Sequence, residues 1–506
     1  MADPSEIFEH VCQHVRETTK LEHVKELLEW DERTLMPVAA GEYRADQITL
    51  LAGLVHQRAT DPRLGEWLEA LAESPLAADP NSDQGATIRG LKREYDRETK
   101  LPQTLVEAFS RARVLGQQAW VKAREADDFS QFAPSLEKII TLCREMAAAL
   151  GAVEQPYDAL LDYFEPGAKT EQVTQVLDRL KKLLVPLVEE IRDSPRRPNV
   201  EVLKRSFSVA AQEKIGKLAA SKIGFNFQAG RLDVTHHPFC CTVGPNDCRI
   251  TTRYDEHFFP SAFFSTLHEA GHGIYEQGLR TDWHGLPPGK YASLGIHESQ
   301  SRLWENMVGR SYAFWRHLYP EAKKLFPKAL GDMPVGDFHF AVNEVTPSLI
   351  RVEADEVTYN LHIIARFELE QALLSGDLKV ADLPSAWNEK YQQQLGIQPT
   401  NDADGCLQDV HWSAGLLGYF PTYSLGNIYA GQLMEQAREE LGDLEGMFAE
   451  GQFVPLLDWL RENVHQVGQC RPADQLVEGI CGESINPEPM VKYLRAKLGP
   501  LYGIQH

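Results

Sequence analysis

The 506-residue sequence lacks the features that mark membrane, secreted and nucleic-acid-binding proteins. It has no run long and apolar enough to span a bilayer, and its first residues show no basic stretch followed by an apolar core. We therefore expect no membrane span and no signal peptide. The formal net charge of −22 argues against binding to nucleic acid or to an anionic membrane surface. It does not exclude a peptide substrate, because a local cationic pocket can lie in an acidic protein.

Cysteine is scarce and forms no metal-binding or disulfide pattern. The eight cysteines include the adjacent Cys240 and Cys241, but none are spaced as C-x-x-C. In a chain of this length they do not form a disulfide framework, so a reducing, cytoplasmic location fits best.

Most of the chain shows the apolar period of α-helices, as in Thr170 to Ile191. Internal repeats and low-complexity segments are absent. Breaks fall at 74–83, 193–199 and 334–336, and none is long enough to be a free linker. We therefore expect one mainly α-helical unit over residues 1–506, and two lobes around a cleft would be compatible with it.

One section has the composition of β-structure. Leu232 to Val243 and Arg249 to Tyr254 are β-branched and aromatic, and Gly244 to Asp247 form a turn between them. This pattern predicts a small hairpin. A strand edge beside a metal site can hold an extended peptide by backbone hydrogen bonds, although a purely structural hairpin fits the pattern equally well.

The stretch directly after this hairpin contains an H-E-x-x-H motif, His268 to His272, inside a predicted helix from Ser261 to Gln277. Residues four apart share a helix face, so His268 and His272 can bind one zinc-sized ion. Glu269 lies one step round and is placed to take a proton from a water that the metal activates. The alternative is a surface helix with two solvated histidines. The apolar residues around the motif favour metal, because buried histidines need partners.

Two glycines in this helix, Gly271 and Gly273, each cost about 1 kcal/mol of helix stability relative to alanine. Such a cost is usually accepted where another backbone or a substrate comes close. We therefore expect a close approach on this face of the helix.

The third metal ligand is predicted downstream, in His297-Glu298-Ser299-Gln300. Glu298 lies 26 residues after His272, which leaves room for a loop that brings a second helix back against the first. A His-His-Glu set matches the ligand chemistry of zinc peptidases. The alternative is that Glu298 only pairs with Arg302 at i+4.

Further downstream, Arg351 lies in an otherwise apolar and acidic stretch. Arginine can bind a carboxylate through two hydrogen bonds. The alternative is a salt bridge to Glu353 or Asp355.

Three more residues are candidates for supporting roles. Asp409 or His411 could support a ligand histidine through a hydrogen bond, or else cap helices or pack as polar core groups. The hydroxyl of Tyr423 is a typical donor to a developing oxyanion. Taken singly, each of them favours a structural role over a catalytic one.

Seven short motifs follow one another along the chain. In order they are WDxxTxMP at 30–37, HPF at 237–239, DxRxT at 247–251, HExxH at 268–272, HESQ at 297–300, IRxxAD at 350–355 and GxxQDxHW at 405–412. On these motifs and on its length, the chain resembles the M32 family of metallocarboxypeptidases, the carboxypeptidase Taq type. The likeness covers nearly the whole chain.

This resemblance implies a mainly α-helical metallopeptidase fold with a deep substrate groove and a small β-sheet, assembled as a homodimer. It implies removal of single residues from peptides with a free C-terminus, with zinc or cobalt as the metal and the catalytic part at about 230–430. The implied residues are His268, His272 and Glu298 as metal ligands, Glu269 as general base, Arg351 with help from Arg249 for the C-terminal carboxylate, and His237 and Tyr423 for the substrate or the oxyanion.

Other functions remain open on the sequence. A metal-dependent endo-oligopeptidase would use the same ligands without a carboxylate clamp. A zinc aminopeptidase is disfavoured, because no G-x-M-E-N stretch is present. A non-catalytic peptide-binding protein would have no need for the general base Glu269.

Overall fold

The computed structural model describes residues 3–504, and helices dominate it. In chain order the helices are α1 Pro4–Thr34, α2 Gly41–Ala59, α3 Pro62–Ala72, α4 Asp83–Lys100, α5 Gln103–Ala126, α6 Ala133–Ala149, α7 Pro156–Phe164, α8 Thr170–Asp193, α9 Val209–Ile223, α10 Phe259–Gly278, α11 Leu294–Arg302, α12 Tyr312–Leu325, α13 Pro327–Leu330, α14 Val335–Val342, α15 Thr358–Ser375, α16 Leu383–Leu395, α17 Pro421–Leu441, α18 Leu444–Ala449, α19 Val454–Leu460, α20 Ala473–Cys481 and α21 Glu488–Tyr502. Within the described range, no helix has both the length and the apolar character needed to cross a membrane.

The chain forms two compact units, each built from three segments. The first unit comprises Met1–Thr99, Pro198–Val342 and Leu433–Gly482, and the second comprises Lys100–Arg197, Asn343–Gln432 and Glu483–His506. The predicted break at 193–199 coincides with one of the boundaries. A single peptidase domain over 1–506 stays a prediction, and its expected catalytic part at about 230–430 contributes residues to both units.

The sheet belongs to the first unit and has three strands, β1 Gly230–Val234, β2 Cys240–Gly244 and β3 Asp247–Thr252, in the order β1-β3-β2. The predicted hairpin is present as the antiparallel β2–β3 pair, with Asn246 at φ 64° in its turn. The prediction of one continuous strand from Leu232 to Val243 is wrong. This segment forms two strands, β1 and β2, and β1 pairs parallel to β3 on the edge of β3 opposite to β2. Pro238 lies in the connecting segment, where its missing N–H cannot interrupt a ladder.

Helix α10 runs through the first unit as a buried element. It begins two residues before and ends one residue after the predicted bounds, with Pro260 in its first turn. Its aromatic side chains pack against other helices of the unit: the Phe263 ring lies 5.0 Å from Trp315 of α12, which in turn lies 4.6 Å from Phe338 of α14. Burying each such side chain contributes about 1.5–3 kcal/mol, so this packing holds α10 rigidly.

Helix α15 is the corresponding buried element of the second unit. It packs against α6, α7, α8 and α16 and is buried on nearly all sides. Its start is fixed by Asp355, whose carboxylate accepts hydrogen bonds from the backbone N–H groups of Val357 and Thr358 and from the Thr358 hydroxyl at 2.7 Å. Two fully buried charged residues, Arg366 and Glu370, lie within it.

Candidate active site

The HExxH helix and the helix that carries Glu298 approach each other closely at Gly271. A Cβ on Gly271 would lie 2.7 Å from the Gln300 carbonyl oxygen of α11, and a Cβ on Gly273 would meet the Phe225 ring at 2.5 Å. The expectation of a close backbone approach is thereby confirmed at Gly271, while Gly273 makes room for a side chain. Because Gly271 lies between the two histidines of the motif, this contact brings α11 alongside them.

His268, His272 and Glu298 converge on one point. The Glu298 Oε2 atom lies 3.6 Å from His268 Nε2 and 3.5 Å from His272 Nε2, and the donor atoms all lie within 4.8 Å of one another. In residues 3–504 this is the one group of three or more metal-ligating side chains with that spacing. The ligand set predicted from the sequence is therefore assembled in the first unit.

The second ring nitrogen of each histidine has an acceptor of its own. The Nδ1 atom of His268 lies 2.9 Å from Glu305 Oε2, and that of His272 lies 3.0 Å from the His297 carbonyl oxygen. Each Nδ1 therefore carries the proton, which leaves the Nε2 lone pairs directed at Glu298. Of the two interpretations left open for Asp409 and His411, support of a ligand histidine does not apply, because Glu305 and the His297 carbonyl provide that support.

Glu305 belongs to the candidate site through its contact with His268, and it is not among the residues predicted from the sequence. It lies in a π-helical turn, Leu303–Val308, that follows α11 directly, and such turns are frequent at functional sites. A signal was present in the sequence, since Glu305 is an acidic residue in the apolar run Leu-Trp-Glu-Asn-Met-Val, seven positions after Glu298. Buried carboxylates almost always have a specific partner.

Glu298 has both of the settings that the sequence allowed: it faces the two histidines, and it pairs with Arg302 at i+4. Its Oε1 atom accepts a hydrogen bond from Arg302 Nε at 2.7 Å, and its Oε2 atom accepts one from the Ser301 hydroxyl at 2.9 Å while facing the histidines. Arg302 also lies 3.3 Å from Glu305. One oxygen of Glu298 is thus held by arginine and the other is directed at the ligand cluster.

The pKa shifts in the cluster leave His272 neutral and Glu305 ionised, whereas for His268 the carboxylates of Glu298 and Glu305 outweigh burial and raise the pKa. Burial raises the pKa of Glu269 to about 7, which makes it a stronger base than an ordinary carboxylate. Burial also acts to raise the pKa of Glu305, but Arg302 and His268 outweigh it and hold that pKa at about 2. Burial lowers the pKa of His272 well below its ordinary value. A neutral imidazole and an ionised supporting carboxylate are the forms that metal binding requires.

This donor set fits a divalent cation. Two imidazole nitrogens and one carboxylate oxygen form the three-ligand set of catalytic zinc sites, which leaves a position for water or substrate. The fit rests on the converging atoms and on the hydrogen bonds that orient both rings.

A second cluster of buried charge lies in the second unit, around Arg351. This side chain is only 5% exposed, and it donates to Asp409 Oδ1 through Nη2 at 2.7 Å and through Nε at 3.1 Å. The expected alternative, a salt bridge to Glu353 or Asp355, is wrong, because the partner is 58 residues away in the chain. Asp409 also accepts a bond from Arg366 Nε at 2.6 Å.

Aromatic groups and a histidine line the Arg351 guanidinium. Tyr359 accepts a hydrogen bond from Nη1 at 3.2 Å, and the half-buried Tyr423 ring lies 5.4 Å from the guanidinium carbon. His411 Nδ1 lies 3.7 Å from Asp409 Oδ1. Burial lowers the pKa of His411 to about 4, so its ring is neutral at pH 7.

Two further predicted site residues lie in or beside the sheet of the first unit. Arg249 makes two hydrogen bonds of 2.8 Å to Asp247, and its guanidinium lies 4.2 Å over the ring of Trp30, the buried first residue of the WDxxTxMP motif. His237 is exposed in the segment between β1 and β2. Arg249 therefore has a firm structural setting, whereas His237 is open to solvent.

Comparisons with known proteins agree over almost the full length. A family model described as carboxypeptidase Taq (M32) metallopeptidase matches residues 10–498. The chain is similar to thermostable carboxypeptidase 1 of Thermus thermophilus, at 46% identity over 509 residues covering 99% of this chain and 100% of that protein. It is also similar to carboxypeptidase 1 of Bacillus subtilis, at 39% identity over 476 residues covering 94% of this chain and 95% of that protein.

A solved structure gives the same agreement for the fold. The crystal structure of an M32 carboxypeptidase from Deinococcus radiodurans R1 superposes with a TM-score of 0.95 at 40% identity. The superposition covers 99% of this chain and 100% of that one.

Proposed function

The chain belongs to the M32 family of metallocarboxypeptidases, the carboxypeptidase Taq type, and we propose that it releases single residues from the C-termini of peptides with the residues described above. The overall activity is that of a metal-dependent carboxypeptidase. The observation that carries the proposal is the converging His268, His272 and Glu298 set with the buried Glu269 beside it.

We propose that these three residues hold one divalent cation per chain, zinc in the first instance and cobalt as the alternative. When bound, such a cation polarises the scissile carbonyl and lowers the pKa of water towards about 7. Glu305 and the His297 carbonyl keep both imidazoles in the required tautomer and orientation. Arg302 holds the Oε1 atom of Glu298 by a hydrogen bond, which leaves Oε2 facing the two histidines.

Glu269 is the proposed general base. It takes a proton from the attacking water and then delivers that proton to the leaving amine. Its raised pKa of about 7 supports both halves of the transfer, because a group that titrates near the working pH can accept and release a proton with similar ease.

Arg351 is the proposed anchor for the terminal carboxylate of the substrate. It is buried, and the carboxylate that it contacts is shared with a second arginine, so positive charge remains for an incoming anion. Charge-assisted pairs of this kind select planar carboxylates over amides. Arg249 is proposed to assist, while His237 and Tyr423 are proposed to contact the substrate or the oxyanion.

Assembly and location are proposed on less direct grounds. The family resemblance supports a homodimer. All eight cysteines are free thiols, which supports a reducing, cytoplasmic compartment.

Mass spectrometry of one peptide, supplied as the free acid and as the C-terminal amide, tests the proposed function. Each form is incubated with zinc-loaded protein, with and without a chelator. We expect a ladder of single C-terminal losses from the free acid only, abolished by the chelator. Internal cuts in both forms would identify an endo-oligopeptidase instead, and no cleavage with metal bound would favour a peptide-binding protein.

A further inference from the structure

Arg366 is a fully buried arginine that belongs to none of the seven motifs. It lies in the middle of α15 and uses its guanidinium for several hydrogen bonds. Nε donates to Asp409 at 2.6 Å, Nη2 donates to Gln408 Oε1 at 2.8 Å, and Nη1 donates to the His362 carbonyl at 2.8 Å. These acceptors offset the cost of burying the guanidinium, which a buried apolar side chain of the same size would not incur.

Two of these acceptors also hold Arg351. Gln408 Oε1 accepts a hydrogen bond from the Arg351 backbone N–H at 2.9 Å, and Asp409 accepts from the Arg351 side chain at 2.7 Å. Arg366 therefore donates hydrogen bonds to Gln408 and Asp409, the two residues that also accept hydrogen bonds from the backbone and the guanidinium of Arg351. Its own lack of exposure excludes direct contact with a substrate.

The cluster contains more positive than negative charge. Two guanidiniums share the single carboxylate of Asp409. Glu370, one turn after Arg366, accepts hydrogen bonds from the Tyr157 hydroxyl at 2.6 Å, the Trp412 indole N–H at 2.8 Å and the Gly418 N–H at 3.0 Å. Burial raises its pKa to about 7, so its carboxyl is partly protonated at pH 7 and does not fully offset the second guanidinium.

The two histidines of the cluster do not change this balance. Burial lowers the pKa of both His362 and His411, so both rings are neutral at pH 7. A buried charge without a partner is costly, and the surplus is therefore satisfied best by an anionic ligand.

We propose that Arg366 is a positioning residue for carboxylate recognition. By sharing Asp409, it prevents that carboxylate from neutralising Arg351 completely, and Arg351 keeps the charge that binds the terminal carboxylate of the substrate. This inference rests on the proposed role of Arg351 as the anchor.

The test measures how tightly the zinc-loaded enzyme binds N-acetyl-leucine and N-acetyl-leucinamide as competitive inhibitors, together with KM and kcat for a peptide. In Arg366→Gln, Asp409 pairs with Arg351 alone, so we expect the acid to bind about tenfold more weakly and the amide unchanged, with the loss in KM rather than kcat.

The double variant Arg366→Gln with Asp409→Asn regains the surplus charge and should recover most of the lost affinity. Arg366→Lys keeps the charge and should stay close to the native enzyme.

The control is Arg144→Gln, which removes an arginine that donates to the Leu373 and Leu374 carbonyls near the end of the same helix but does not bond to Asp409. It should not change the preference for acid over amide.

Equal weakening of acid and amide in Arg366→Gln, or no recovery in the double variant, would overturn the proposal. If Arg366→Gln does not fold, Asp409→Asn decides: it should favour the acid over the amide more strongly than the native enzyme does, and an unchanged or weaker preference overturns the proposal.

Arg351→Ala separates this inference from the function on which it rests. If that variant keeps the native preference for the acid, the anchor role itself is wrong. If it loses the preference while Arg366→Gln keeps it, only the role of Arg366 is wrong.

Discussion

The two units each bury a cluster of charged side chains, and the two clusters present opposite kinds of group to a ligand. In the first unit, two imidazole nitrogens and an oxygen of Glu298 converge as electron-pair donors. In the second unit, two arginines share one aspartate. The first cluster therefore suits a cation and the second an anion. The comparison teaches that the groups that a buried polar cluster directs at one point indicate which kind of ligand it takes.

The largest effect on activity is expected from replacing Glu269, the proposed general base. Replacing Glu269 by glutamine removes the general base but leaves the three ligands in place. We expect kcat to fall by about 10²–10⁴-fold while the bound metal, measured by elemental analysis, stays at one per chain. The exposed Glu256→Gln is the matched control. Full activity in Glu269→Gln would show that the cluster of the first unit binds a cation without supplying the base.

The second prediction concerns the surplus positive charge of the cluster of Arg351, Arg366 and Asp409. Arg351→Ala leaves Asp409 with one arginine, so the cluster becomes neutral. Because truncating one partner of a buried charge pair costs about 2–5 kcal/mol, we expect kcat/KM for free-acid peptides to fall by about 100-fold or more. Rates on amidated peptides, followed by mass spectrometry beside the exposed-arginine control Arg316→Ala, should hardly change. An equal loss on both peptides would refute the anchor role.

A third prediction concerns the group that supports His268. Glu305→Gln removes the carboxylate that accepts a hydrogen bond from His268 Nδ1, and such partners are typically worth about 10–100-fold in metal affinity. Competition with a chromogenic chelator should show zinc affinity reduced by that factor, while the exposed Glu439→Gln leaves it unchanged. An unaltered zinc affinity would mean that Glu305 serves to pair with Arg302 and Arg310 and does not support His268 as a ligand.

The comparison also separates what the sequence could predict from what it could not. The HExxH spacing and the bounds of α10 follow from local helix geometry, and Gly271 indicated a close neighbour, which is the backbone of α11. These features depend on residues close together in the chain.

The remaining contacts depend on distant residues. The pairing of Arg351 with Asp409 spans 58 positions, and that of Arg366 with Asp409 spans 43. Likewise, β1 joins the sheet parallel to β3 rather than as part of a hairpin, which only tertiary packing decides. The contact of Glu305 with His268 spans 37 positions and likewise depends on tertiary packing.

The smallest effect concerns stability in acid. The pKa of His411 is about 4 in the folded chain and 6.5 ordinarily, so between these values the unfolded chain binds the extra proton. Stability contributed by the neutral ring is therefore complete above pH 6.5 and is lost as the pH falls towards 4. Since local relaxation screens buried charges, we expect a loss of about 1 kcal/mol.

Urea unfolding of metal-free protein at pH 7.5 and 5 measures this loss. His411→Gln should reduce the difference between the two pH values. A difference that is as large in the variant as in the native chain would assign the acid sensitivity to other groups, such as His465, whose pKa burial lowers to about 3.

The most direct measurement is a crystal structure of the protein with zinc and N-acetyl-leucine, with data collected at the zinc absorption edge. The account predicts one anomalous peak coordinated by His268, His272 and Glu298, and a ligand carboxylate hydrogen-bonded to Arg351. An anomalous peak elsewhere, or a carboxylate that does not contact Arg351, would contradict the assignment of a cation to one cluster and an anion to the other.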